Sequence, residues 1–132
     1  MRQVSGQAND HGNFTMDASF LTGTVELLLL AVVAEGPSYG YEITQSVLAR
    51  SGGKFDLKEG SLYPALHRLE REKLLQSHWT EHEGRRRKYY KLTPGGRKTL
   101  ASRRSEWQSF ADGVRGVLGL DAVRIADGLA KM

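Results

Sequence analysis

The fold class is decided by residues 57–92, which read LKEGSLYPALHRLEREKLLQSHWTEHEGRRRKYYKL. The first half predicts a helix over residues 59–73, because three leucines recur at helical spacing: Leu62, Leu66 and Leu69. Pro64 agrees with a nearby helix start, since proline is tolerated in the first turns of a helix and not in its interior. The second half predicts a β-hairpin, in which residues 76–80 pair with residues 86–92 around a turn that contains Gly84.

A cationic helix followed by a basic hairpin is typical of a winged helix-turn-helix, whose recognition helix enters the DNA major groove. The flanking sequence supports this reading. Residues 20–35 predict a largely buried helix that Gly36-Pro37 ends, and Ser38 is predicted to cap a second helix that runs to about residue 50. Thr93-Pro94 predicts the start of a long fourth helix. The expected fold is mainly α with a small β-hairpin: a winged helix-turn-helix plus a long C-terminal dimerisation helix.

The predicted domain organisation follows from these segments. Residues 1–16 are polar and lack periodicity, so they are interpreted as a disordered tail. Residues 17–93 form the winged helix-turn-helix domain, residues 94–119 the dimerisation helix, and residues 120–132 a tail or short last helix.

The charge distribution favours a polyanionic partner. The net charge of the 132-residue chain is only +4, yet residues 85–104 contain nine Lys or Arg and no Asp or Glu. Such a block can be an ordinary solvated helix face, but its position on a hairpin beside a recognition helix favours nucleic acid. No apolar run approaches the ~20 residues that span a bilayer, so a cytoplasmic, nucleoid-associated protein is expected.

Catalytic and metal chemistry find little support in the sequence. The chain has no Cys, which excludes disulfides and thiolate metal sites. His78 and His82 share a face of a strand but lie ~13 Å apart, too far to bind one ion. We therefore expect neither an enzyme nor a cofactor.

The fourth helix carries an apolar stripe at nearly heptad spacing: Leu100, Trp107, Phe110, Val114 and Val117. Such a stripe indicates a partner helix, most simply from a second copy, whereas the alternative is an amphipathic helix that packs on its own domain. Trp107 is also a candidate for an effector pocket, because paired aromatic rings suit planar hydrophobic or aromatic ligands. The simpler interpretation of Trp107 is an interface anchor.

Four segments together resemble the PadR family of bacterial winged-helix transcriptional regulators. They are LLLLAVVAEGPSYGYEI, EGSLYPALHRLEREKLL, GRRRKYYKLTPGGR and the Trp of the last helix, and the resemblance spans about residues 21–118. The short C-terminal part resembles the compact branch of that family, with a single dimerisation helix. The resemblance implies a homodimer that usually represses transcription and is released by a small effector.

Candidate DNA-binding residues on the recognition helix follow from winged-helix geometry. Ser61 lies at the helix start, where the helix dipole favours a phosphate. Tyr63 and Pro64 can contact the backbone and a thymine methyl group, and His67 and Arg68 can reach bases or phosphates. Packing against neighbouring helices is the alternative role for Tyr63 and His67.

Further candidates flank this helix. Tyr39 and Tyr41 lie on either side of Gly40, and one of them is expected to bind a phosphate while the other packs. The predicted wing tip supplies four cations, of which about two reach DNA at once: Arg85, Arg86, Arg87 and Lys88. The predicted function is that of a sequence-specific transcriptional regulator, a repressor that binds an inverted-repeat operator in double-stranded DNA. The alternative is a winged-helix protein-interaction module without specific DNA binding.

Overall fold

The structure is a computed structural model that describes residues 14–15 and 22–120. Within those residues it has four helices: α1 (Thr22–Val33), α2 (Gly40–Arg50), α3 (Glu59–Arg71) and α4 (Pro94–Leu118). Five strands accompany them: β1 (Phe14–Thr15), β2 (Ser38–Tyr39), β3 (Phe55–Asp56), β4 (Leu75–His82) and β5 (Arg85–Leu92). The predicted fold class, mainly α-helical with a small hairpin, is confirmed.

The chain divides into two compact units, Met1–Leu100 and Ala101–Met132. The sequence placed the domain boundary before α4, whereas the first unit also takes in residues 94–100 of that helix. Leu100 belongs to the core of the first unit, which accounts for the shift.

The core of the first unit forms where α1 meets α3. Apolar residues occur nearly all around α1, and its Leu29, Leu30 and Val33 are almost completely buried. The predicted leucine stripe of α3 is confirmed, since Leu62, Leu66 and Leu69 are also inaccessible to solvent. This burial orients α3, because a helix that turns one side into the core presents the opposite side to solvent.

The ends of α2 and α3 have the same hydrogen-bonding pattern. After α3, the amide of Leu74 donates to the Leu69 carbonyl at 2.9 Å, and Lys73 has a positive φ of 63°. After α2, the amide of Gly53 donates to the Leu48 carbonyl at 2.8 Å, with Gly52 at φ 69°. Both are Schellman motifs, which satisfy carbonyl groups that a helix end leaves free.

The predicted cap of α2 is wrong. Ser38 does not cap the helix, because Ser38 and Tyr39 form β2 and pair with Tyr90 and Tyr89 of β5. Tyr39 is the N-cap residue instead, and its amide donates to the carboxylate of Glu42 at 3.3 Å. The Ser38 hydroxyl donates to the Gly36 carbonyl at 3.0 Å.

The hairpin is longer and more tightly closed than predicted. The three-stranded sheet has the order β2-β5-β4, and β4 pairs with β5 from Leu75 opposite Leu92 to His82 opposite Arg85. Only Glu83 and Gly84 remain in the turn, at φ 52° and 78°. Two positive φ values are typical of the type I′ turn, whose twist matches that of the flanking strands.

The predicted N-terminal tail is wrong at its end, because Phe14–Thr15 pairs in parallel with Phe55–Asp56 as a short second sheet. Predictions for residues 1–13, 16–21 and 121–132 lie outside the described residues. In the part of the chain that the structure does describe, no helix is both long and apolar enough to cross a membrane.

Candidate nucleic-acid interface

The β4-β5 hairpin is the wing of the fold. The wing, α3 and the start of α2 surround a cleft of about 360 Å³. Its lining combines aromatic rings with cationic and imidazole side chains, among them Tyr39, Tyr63, His67, Trp79, Arg87 and Lys88. The N-terminus of α2 opens into the same cleft at Gly40, so the positive end of that helix adds to the charge of the side chains. This arrangement suits an anionic group that also presents flat or apolar surface.

Tyr63 packs directly on the backbone of Gly40. A Cβ atom built on Gly40 would collide with the Tyr63 hydroxyl and lie 3.0 Å from Cζ of the same ring. Gly40 is buried, and the three atoms nearest to its Cβ position all belong to the Tyr63 side chain. The absence of a side chain at Gly40 therefore lets the Tyr63 ring lie against the start of α2.

The two tyrosines beside Gly40 have different environments. Tyr39 packs edge-on against Tyr89, with the ring centroids 5.4 Å apart. Tyr41 is 64% exposed and lies on the surface of α2. The sequence left open which of the pair is free to meet a ligand, and by exposure it is Tyr41.

On α3, most of the predicted contact residues face away from the core. Tyr63, Pro64 and His67 are exposed and Ser61 is half-buried. The structure therefore brings these four residues onto the solvent-facing surface of α3, as the winged-helix interpretation requires.

Arg68 differs from these four. Its Nε–H donates to Oε2 of Glu26 on α1 at 2.7 Å, and the Glu26 side chain is only 11% exposed. The prediction that Arg68 reads bases is therefore not supported by its position, because the guanidinium is directed toward a buried carboxylate of its own chain. Its role is to join α1 to α3.

We expect Arg68→Ala to lower the free energy of unfolding by about 2–3 kcal/mol, because it removes the guanidinium from a buried carboxylate. The estimate stays below the full cost of breaking a buried ion pair because a third of the Arg68 side chain is exposed. Chemical denaturation would measure the loss, with Arg71→Ala on the exposed side of the same helix as the control. Equal stability of the two variants would contradict the structural role.

The four wing cations are not at the tip, which corrects the predicted hairpin. They occupy the first four positions of β5, and only Arg85 adjoins the Glu83-Gly84 turn. Alternation along the strand places Arg86 and Lys88 on one face of the hairpin and Arg85 and Arg87 on the other. Lys88 faces α3, where its Nζ lies 3.7 Å from the carboxylate of Glu70.

Glu70 and Trp79 were missed as site residues. Glu70 accepts a hydrogen bond from the Ser77 hydroxyl and forms an ion pair with Lys88. Burial, and then the nearby charges of Glu70 and Tyr63, raise the pKa of Tyr90 above the ordinary value of a tyrosine. Trp79 was treated only as a strand former, although an exposed aromatic residue in a cationic segment is a recognisable sign of a binding surface.

The second unit carries apolar surface on the distal half of α4. Phe110 is 68% exposed and Val117 is 89% exposed, and a 540 Å³ groove there is lined by Phe110, Val114, Val117 and Leu118. Trp107 is also exposed. Leu100, which the sequence counted in the same stripe, is buried in the core of the first unit and has little surface to offer a partner.

Within the described residues, no group of three or more Asp, Glu or His side chains is arranged to hold a metal ion.

Comparison with known proteins agrees with this geometry. The model of the PadR-like family of transcriptional regulators matches residues 29–102, from within α1 to the early part of α4. The chain belongs to the PadR family. Its members are transcriptional regulators that bind DNA and typically dimerise, and they are not enzymes.

Individual relatives and solved structures match most of the chain. It is 38% identical to the transcriptional regulator Rv3488 of Mycobacterium tuberculosis over 100 residues, which are 76% of this chain and 88% of that protein. A PadR family transcriptional regulator from Eggerthella lenta has a similar structure, with a TM-score of 0.64 and 35% identity, covering 75% of this chain and 85% of the other. A transcriptional regulator from Clostridium thermocellum gives a TM-score of 0.68 and 33% identity, with 74% and 96% covered. The protein is therefore a DNA-binding transcriptional regulator.

Proposed function

We propose that this protein is a sequence-specific repressor that binds an inverted-repeat operator as a homodimer and is released by a small effector. The observation that carries the proposal is the common surface formed by the exposed side of α3 and the cationic wing, which meet at one cleft beside the N-terminus of α2. That surface has the two components that sequence-specific DNA binding requires, a groove-sized helix and flanking phosphate contacts.

Base contacts are assigned to α3. Its exposed side carries Tyr63, Pro64 and His67, with Ser61 near the start of the helix where a phosphate is favoured. Tyr63 and Pro64 provide apolar surface for a thymine methyl group, and His67 provides hydrogen-bonding nitrogens for a base edge or a phosphate. Arg68 is left out of this set because of its contact with Glu26.

Phosphate contacts are assigned to the wing and to α2. The first positions of β5 are Arg85, Arg86 and Arg87, and an exposed tyrosine, Tyr41, lies in the first turn of α2. Lys88 contributes less, because the carboxylate of Glu70 already offsets its charge. These contacts increase affinity for any duplex and orient α3 without reading sequence.

The operator symmetry follows from the proposed dimer. The proposed two-fold interface uses the same exposed apolar residues of α4 in both copies: Trp107, Phe110, Val114 and Val117. Two copies related by a two-fold axis place their recognition helices on an inverted repeat, with half-sites about one helical turn apart.

Release by an effector is assigned to the same part of α4. Trp107 presents an exposed indole, which suits a small hydrophobic or aromatic ligand. A ligand held between the two copies changes the separation of the recognition helices, which weakens binding to a fixed half-site spacing. A repressor of this kind acts on the nucleoid in the cytoplasm.

The test is to capture and sequence the genomic DNA that the purified protein retains, then to footprint the recovered site. We expect a protected inverted repeat whose halves are centred about one helical turn apart. Protection of one asymmetric half-site would contradict the dimeric arrangement. Retention of no DNA, with no salt-dependent binding to any duplex, would favour the alternative of a protein-interaction module.

The wing and α3 are expected to differ in the kind of binding that each supports. Arg86→Ala combined with Arg87→Ala should weaken operator and scrambled duplex by similar factors and lower the salt slope by about 4, since a dimer loses four phosphate contacts and each contributes ~0.9. His67→Ala should instead weaken operator binding more than scrambled-duplex binding, by about 1–3 kcal/mol for a lost base contact. Titrations of both duplexes at several salt concentrations separate the two results, and an exchange of the two patterns would reverse the assignments.

Gly40→Ala is expected to weaken operator binding roughly tenfold, which corresponds to ~1.4 kcal/mol, because the new methyl group displaces Tyr63 from the surface of α3. Gly116→Ala is the matched control, since a Cβ at that helical position meets nothing within 4 Å. Adding Tyr63→Phe to Gly40→Ala removes the colliding hydroxyl and should restore part of the lost affinity. Unchanged binding by Gly40→Ala would show that the Tyr63 position does not matter for the operator.

A further inference from the structure

Two neighbouring arginines of the wing are stacked on aromatic rings from opposite sides of the sheet. The guanidinium carbon of Arg86 lies 4.7 Å from the centroid of the Trp79 ring, and that of Arg87 lies 4.5 Å from the centroid of the Tyr39 ring. Both distances are within the range of cation–π interaction. Because the two arginines are consecutive in β5, their side chains leave the strand on opposite faces.

The register of the sheet explains both stacks. Trp79 is directly opposite Lys88, which places its ring on the same face as Arg86, two residues earlier in β5. Tyr39 is directly opposite Tyr89, which places its ring on the same face as Arg87. Each aromatic residue is thus a diagonal neighbour of its arginine, at a separation that long side chains span.

Stacking prepares a guanidinium group for an anion. The flat face of the group is held against the ring, while N–H donors at its edge stay available for a phosphate oxygen. A side chain already held in place loses less conformational freedom when it binds. This role accounts for the exposure of Trp79, a large apolar residue that is 56% exposed.

We propose that Trp79 and Tyr39 are positioning residues that hold Arg86 and Arg87 for phosphates on the two opposite strands of the operator. Either groove of a duplex is bordered by one phosphate backbone on each side, so a hairpin whose tip points into a groove turns one face toward each backbone. The inference rests on the proposed function and adds which backbone each arginine meets.

The strand assignment is tested with the operator recovered by genomic capture, carrying neutral methylphosphonate linkages beside the wing of one half-site only and in one strand at a time, because the two-fold axis interchanges the two strands in the other half-site. In the wild-type protein, neutralised phosphates beside the wing weaken binding in both strands. Arg86→Ala should abolish this sensitivity in one strand only, and Arg87→Ala in the other only. Loss of sensitivity in the same strand for both variants overturns the proposal, whereas failure of the wild-type protein to bind the unmodified operator contradicts the proposed function instead.

The positioning role of Trp79 is tested by a double-mutant cycle with Arg86. Trp79→Leu should weaken operator binding about two- to fivefold in the wild-type background and have almost no effect when Arg86 is already Ala. Trp79→Phe keeps an aromatic platform and should retain most of the affinity. Thermal unfolding of each variant identifies any loss of folded protein. Equal losses for Trp79→Leu in both backgrounds would show that Trp79 does not act through Arg86.

Discussion

Phe110→Asp is expected to convert the proposed dimer into monomers and to reduce operator affinity by two or more orders of magnitude. Phe110 is 68% exposed and lies in the apolar groove of α4 with Val114 and Val117. Burying a phenylalanine contributes about 1.5–3 kcal/mol, and a two-fold interface counts that contribution twice. A carboxylate at this position would also have to be desolvated at the centre of the contact.

The large effect on DNA binding comes from the loss of bivalency. When two recognition helices are linked in one dimer, the second half-site is bound at a high effective concentration, which increases affinity by about 10²–10⁴. A monomer retains the contacts of one half-site and loses this factor. Binding to an isolated half-site should therefore be similar for Phe110→Asp and for the wild-type protein.

Sedimentation velocity at micromolar concentration and titration of full and half operators measure the two expectations. Ser105→Asp introduces the same charge in α4, about 140–160° around the helix from the apolar groove, and is the matched control. It should remain dimeric and bind the full operator normally. A dimeric Phe110→Asp protein would show that this face of α4 is not the interface.

The elements of the fold could be predicted because they depend on local pattern. The leucine spacing of α3, the Gly36-Pro37 break and the Thr93-Pro94 start each reflect a rule that acts within one or two helical turns. In the structure α1 ends before Gly36-Pro37, α3 contains the leucines, and α4 begins at Pro94. The Thr93 hydroxyl caps α4 as predicted, since it accepts a hydrogen bond from the Gly96 amide at 2.9 Å. Packing of the whole chain is not needed to anticipate them.

The errors occur where distant segments meet. Glu26 and Arg68 are 42 residues apart, and neither residue type reveals that α1 and α3 bring them together. Ser38 was assigned to a helix cap because that is the common local use of serine, but pairing with β5 draws Ser38 and Tyr39 into the sheet. The charged residues beside the hairpin turn are weak strand formers, so the length of the strands depended on cross-strand pairing, which a single strand does not show.

For the candidate interface, residue type predicted the region better than it predicted individual roles. The exposed residues of α3 and the cationic wing lie together as expected, but Arg68 turns inward and Lys88 faces Glu70. The proposed role of Trp79 depends on the guanidinium of Arg86 stacked on its ring, and that of Gly40 on its close contact with Tyr63. Neither contact produces a periodic pattern in the sequence.

Gly96→Ala, the second large effect, is expected to lower the melting temperature by roughly 5–15 °C. A Cβ at Gly96 would collide with the backbone carbonyl oxygen of Leu74 and lie 2.8 Å from Cδ1 of Leu92. The Leu74 oxygen belongs to the backbone between α3 and β4, so it cannot move aside as a side chain can. The same carbonyl accepts a hydrogen bond from the Thr93 amide at 3.1 Å, so a shift of the Leu74 carbonyl would also disturb the start of α4.

Gly95→Ala is a closely matched control, because it adds the same methyl group one residue earlier in the same helical turn. A Cβ at Gly95 has its nearest neighbours at 3.7 and 3.9 Å, which is ordinary van der Waals contact. Alanine also has a helix propensity better than glycine by up to ~1 kcal/mol, so Gly95→Ala should be neutral or stabilising. For Gly96→Ala, overpacking costs about 1–3 kcal/mol and outweighs that gain, and each net kcal/mol corresponds to about 4–8 °C in a domain of this size. Thermal unfolding followed by circular dichroism compares the two variants, and equal melting temperatures would show that α4 can move away from the hairpin base without loss of stability.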